Sequence, residues 1–244
     1  MEEIIMEKRD LKLSGATVAT GGEYRDVRVS GASKITSDIL CETMNISGAI
    51  TVDGNVDAKS CKVSGACKIS GNVKSDEIRI SGGSSITGTL TGKEITLAGG
   101  IKVGGDIKSN MLKLSGEITV GGDMECEEFR LSGGINSKGV VNCEKCELEL
   151  AARSELNELV GAYISVREGN GVTGGIIKNL LGKGKGSLKV NLVEGDEIYL
   201  ENTTCEMVRG EKITIGPGCR IGTVEYAELL EIHPDSRVEN KIER

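Results

Sequence analysis

Few residues in this chain are placed to do chemistry. Cys143-Glu144-Lys145-Cys146 has the spacing of half a zinc site. The single histidine, His233, sits beside Pro234 with no evident Ser or Cys partner for a triad. Gly104-Gly105 and Gly121-Gly122 are not followed by a helical pattern or by Lys-Ser/Thr, so they are not phosphate loops. Asp and Glu are scattered, and no pair stands out as acid and base. With no Trp, one Phe and four Tyr there is no sugar-stacking platform. The expectation is a protein that is not an enzyme and takes no cofactor or metal.

Charge and hydropathy narrow the class further. Thirty basic against 37 acidic residues give a net charge of −7. That opposes non-specific nucleic-acid binding, which rests on clustered cations. No apolar run is long enough to cross a bilayer. Met1 to Asp10 alternates charge with Ile4, Ile5 and Met6 and lacks the features of a signal peptide. Eight Cys suit a reducing cytoplasm if they are buried thiols. A cytoplasmic location is expected.

The elements that position these residues are set by a repeat. An aliphatic residue followed by Ser-Gly recurs at Leu13, Val29, Ile46, Val63, Ile80, Leu114 and Leu131, with Leu97-Ala98-Gly99 filling the gap. After a first step of 16 residues, every step is 17. Six residues on stands a second aliphatic column (Ile35, Val52, Ile69, Ile86), and ten on a third (Ile39, Val56, Val73, Leu90). A fourth lies at plus fifteen (Met44, Cys61, Ile78, Ile95). The column at plus twelve is small: Cys41, Ala58, Ser75, Gly92, Ser109, Cys126, Cys143. Cys143 and Cys146 therefore fall on inward columns, where buried thiols pack as small apolar groups.

Alternation such as Ile78-Arg79-Ile80 is strand geometry. Each unit reads as three short strands with corners, and the Gly after Ser suits a corner of positive φ. The predicted fold is all-β: a right-handed parallel β-helix of about 13 coils stacked at about 4.8 Å, a rod about 60 Å long. Residues 1–10 form a short leading segment and 11–167 the regular coils. Residues 168–186 form an inserted Gly- and Lys-rich loop, and 187–244 continue the stack. Ile232 follows Ile215 by 17 residues, and Val238 and Ile242 stand six and ten further on.

Two places could do more than pack. Ile176, Ile177, Lys178, Leu180, Leu181, Lys183 and Lys185 combine apolar and basic groups in the loop. Such a segment suits an anionic membrane surface or a partner groove, unless it folds back on the coils. The end coils lack a neighbour and show no capping helix, so they present open edges. Met6, Leu11 and Leu13 would lie at one joint and Ile232, Val238 and Ile242 at the other. The charged flanks, Glu2, Glu3, Lys8, Arg9, Glu239, Lys241, Glu243 and Arg244, act partly against joining.

The stretch NISGAITVDGNVDAKSCKVSGACKISGNV and its neighbours across residues 11–167 resemble the bactofilins, polymer-forming bacterial cytoskeletal proteins. EGDEIYLENTTCEMVRGEKITIGPGCRIGTVEY looks like the longer bactofilin-related proteins of Gram-positive spore-formers. The resemblance implies nucleotide-independent polymerisation and roles in cell shape, motility or positioning other proteins. It also implies partners that are copies of the chain itself or related bactofilin-like proteins. Family members often carry an aromatic residue in a terminal coil, whereas the only Phe here, Phe129, falls in a middle coil. The competing reading is a capped, non-polymerising β-helix that serves as an adaptor or binds a membrane surface.

Overall fold

The computed structural model describes residues 8–169 and 186–244. Among them every regular element is a β-strand and every paired strand runs parallel, in a β-solenoid of about 13 turns. The chain divides into two compact units, Met1–Gly104 and Gly105–Arg244.

In the first unit, Leu11–Ala19 pairs with residues 27–35 in a 16-residue step, Leu13 lying beside Val29. From there the step is 17: Ile39–Val52 lies on Val56–Ile69, joining Ile46 to Val63 and Val52 to Ile69. The columns read from the sequence are the core. Val27, Ile35, Met44, Val52, Cys61, Ile78 and Leu90 have no exposed surface.

The Ser-Gly bends are positive-φ corners, as the pattern requires. Gly48 has φ 132° and Gly65 has φ 131°. A Cβ on either would also run into the carbonyl of the same glycine one coil earlier. Both backbone angle and stacking exclude a side chain there. The small column has a similar cause. At Gly92 a Cβ would come within 2.5 Å of the Ser75 carbonyl and 3.3 Å of Ile78 and Ile95.

A polar ladder secures another corner. The Asn55 backbone N–H donates to Asp38 Oδ1 (2.7 Å). The N–H of Asn72 donates to Asn55 Oδ1 (2.8 Å) and that of Thr89 to Asn72 Oδ1 (2.8 Å). Each side chain thus satisfies a corner donor of the next coil, which would otherwise lack a partner.

In the second unit, Met111–Val120 lies on residues 128–137, with Leu112 beside Phe129 and Leu114 beside Leu131. Phe129 in turn lies beside Cys146, and all three side chains are fully buried. The looser coil holds Leu156, Leu159, Ile164 and Val166 inward, as expected. At the insertion, the Gly169 N–H donates to the Leu150 carbonyl (2.8 Å) and the Ser187 N–H to the Ala152 carbonyl (3.4 Å). Gly169 and Ser187 are thus anchored two residues apart on one coil. Ser187–Leu200 then lies on residues 153–155, 158–160 and 163–166.

The later coils are shorter at one corner. In the first unit the second and third inward columns stand four residues apart, as in Val52 and Val56. From Leu156 and Leu159 onward they stand three apart: Val190 and Val193, Cys205 and Val208, Ile221 and Val224. The register carries this into the last strand, Arg237–Glu243, where Val238 lies on Ile221 and Lys241 on Val224. Ile242, read from the repeat as inward, instead continues the outward column above Glu225 and is 46% exposed. One residue lost from the corner moved it to the outside.

Candidate functional site

Clusters able to do chemistry are not found where thiol spacing suggested. All eight cysteines are buried and free. Burial pushes the thiol of Cys41 up to about 11 and those of Cys67 and Cys205 up to about 12. A neutral, enclosed thiol is a poor nucleophile and a poor ligand. Cys126 lies directly beside Cys143 in the ladder. No group of three or more metal-ligating side chains occurs among the described residues. His233 is exposed, and its Nδ1 accepts the backbone N–H of Asp235 (3.2 Å) in a tight turn.

What remains is the pair of outer edges. At the C-terminal edge, Arg237–Glu243 is paired with the preceding coil. Among the described residues no strand pairs with its other side. Leu230, Ile232 and Val238 occupy inward columns and are half-buried, whereas Leu229 stands outward above Lys212 and is 45% exposed. The equivalent side chains one coil earlier, Ile213, Ile215, Ile221 and Val224, are buried. Among the described residues no further coil covers this layer of core, in which Lys241 stands where Val193, Val208 and Val224 stand below it.

The N-terminal edge is built differently. Leu13 is buried and Leu11 half-buried, while Val18 is 72% exposed. Met6 lies outside the described residues, as do Ile176, Ile177, Lys178, Leu180, Leu181, Lys183 and Lys185 of the loop. Sequence reasoning missed Tyr24. The register Gly22 on Ile39 and Glu23 on Leu40 places it over Cys41, in the small column. Its ring is 4% exposed, the Arg9 guanidinium lies 5.6 Å from its centroid, and its hydroxyl donates to the Thr20 carbonyl (3.2 Å). Ion pairs of Lys8 with Glu23 (3.6 Å) and Arg25 with Asp10 (2.9 Å) flank it. The readable signal was a bulky residue standing in a column of Cys, Ala and Ser.

Comparison with known proteins fits this architecture. Residues 3–91 match the family model described as bactofilin, polymer-forming cytoskeletal. An uncharacterized protein of Bacillus subtilis (strain 168), YhbF, is 38% identical over 88 residues, which are 36% of this chain and 34% of that protein. A second, YhbE of the same organism, is 48% identical over 52 residues, 21% of this chain and 22% of its own. The chain thus spans about a third and about a fifth of the lengths of these relatives. No solved structure matches significantly. No helix among the described residues is long and apolar enough to cross a membrane. Residues 3–91 thus resemble the bactofilins, a family described as polymer-forming and cytoskeletal.

Proposed function

We propose that this protein is a structural scaffold that joins end to end through its outer coils, without nucleotide, and holds other proteins in place. The observation that carries the reading is the open layer at Arg237–Glu243: a strand edge with no partner among the described residues, beside the inward Leu230, Ile232 and Val238. An unpaired backbone edge over exposed core is a template for another chain. Adding a coil on such a layer satisfies the hydrogen bonds and buries the side chains together, as it does within the stack. The match of residues 3–91 to a polymer-forming family supports the same reading.

Negative-stain microscopy and sedimentation of purified protein without nucleotide test it. Filaments are expected. The double variant Ile232→Glu, Val238→Glu places charge on the open layer and should yield discrete particles with an unchanged circular dichroism spectrum. Discrete particles from the unsubstituted protein would overturn the proposal.

A further inference from the structure

The Ser-Gly side of the first unit has a charge character opposite to that of the chain. Its six stacked segments, 12–18, 28–34, 45–51, 62–68, 79–85 and 96–102, contain no Asp or Glu, although the chain carries a net charge of −7. Their charged side chains are all cations and all exposed: Lys12, Arg28, Lys62 and Arg79 before the bend, Lys34, Lys68 and Lys102 after it. Beyond the bend runs a groove of about 760 Å³, lined by Ala16, Ala32, Ala49 and Ala66 and bordered by Lys34 and Lys68. Ser84 lines it too, its hydroxyl buried and without a hydrogen-bond partner. Lys34 pairs with Asp53, Arg28 with Asp26, and both Lys62 and Arg79 with Glu77. Among the described residues no carboxylate pairs with Lys12, Lys68 or Lys102.

We infer that this face is a docking site for an extended, acidic peptide segment of a partner protein. The small floor lets a peptide backbone approach closely, and the cations supply complementary charge. Lys34, Lys68 and Lys102 stand in every second coil, about 10 Å apart at the strand spacing. A peptide in the extended polyproline-II form rises about 3.1 Å per residue with three residues per turn, so one acid in every three faces this row. The surface has no aromatic residue on which nucleic-acid bases would stack.

The probe is a fluorescein-labelled 15-residue peptide of Glu-Gly-Ser repeats, titrated by anisotropy against the full chain carrying Ile232→Glu and Val238→Glu. This background keeps the result separate from end-to-end assembly. Binding should weaken about tenfold between 50 and 500 mM salt. The triple variant Lys12→Glu, Lys68→Glu, Lys102→Glu should lose at least about tenfold in affinity. Lys59→Glu, Lys74→Glu, Lys93→Glu makes the same change in net charge elsewhere and should bind as the parent does. Equal losses in both variants, or no loss in the first, would overturn the assignment. So would tighter binding of oligo-dT or of anionic phosphatidylserine vesicles than of the peptide.

Discussion

Replacing Lys241 with Val probes the open layer directly. Lys241 continues the column Val193, Val208, Val224, whose members are fully buried, and it is exposed. A chain stacking on this layer must desolvate its ammonium or push it aside. A valine would instead be covered by the incoming coil and contribute about 1.5 kcal/mol, the low end for full burial of such a side chain. At about 1.4 kcal/mol per tenfold, the critical concentration for assembly should fall about tenfold. Sedimentation across a concentration series at fixed salt reads this as the soluble protein left after pelleting. Lys241→Glu keeps a charge in the layer and should not lower the critical concentration. If Lys241→Val leaves that concentration within about twofold of the parent, joining does not use this layer and the reasoning fails.

Other perturbations address the coils themselves. Phe129→Ala empties a site between the fully buried Leu112 and Cys146 and should cost about 3–5 kcal/mol. Hydrogen exchange should show protection lost around residues 112–146, and a cost below about 1 kcal/mol would contradict the packing described. Acid should weaken the fold. The Arg79 side chain holds the Glu77 carboxyl below its ordinary 4.5, Arg209 does the same for Glu225, and the Asn55 backbone N–H lowers Asp38. Because these folded-state values are depressed, their stabilisation is present above the unfolded values and is lost as pH falls through the folded ones. Melting temperature should hold from pH 7 to about 5 and drop below about 4.5; a flat profile down to pH 3 would refute it. Iodoacetamide at pH 8 should label the native cysteines slowly and all eight after denaturation, since all are buried and the thiol values of Cys41, Cys67 and Cys205 are raised. Fast stoichiometric labelling of the native protein would show an accessible thiol.

The fold was legible because one constraint repeats. Each inward position meets the same position of the next coil, so Ile46, Val63 and Ile80 had to be alike and evenly spaced. Glycine at the bend was legible for the same reason, since angle and stacking both demand it. The edges were less legible because they break the repeat. Tyr24 stands where the column is otherwise small, and its ring is accommodated by Arg9 and not by a coil-to-coil match. Ile242 was misplaced because the corner after Val190, Cys205 and Ile221 is one residue shorter, and column counting cannot detect a change in corner length. The cation-only face was also present in the sequence, but its meaning depends on stacking, which turns residues 17 apart into neighbours.

The anchor points at Leu150 and Ala152 have a practical consequence. Gly169 and Ser187 are tied to carbonyls two residues apart, so the two points lie side by side on one coil. A reporter domain with closely spaced termini, grafted between Gly169 and Gly186, should therefore ride on the solenoid while leaving the coils on either side as they are.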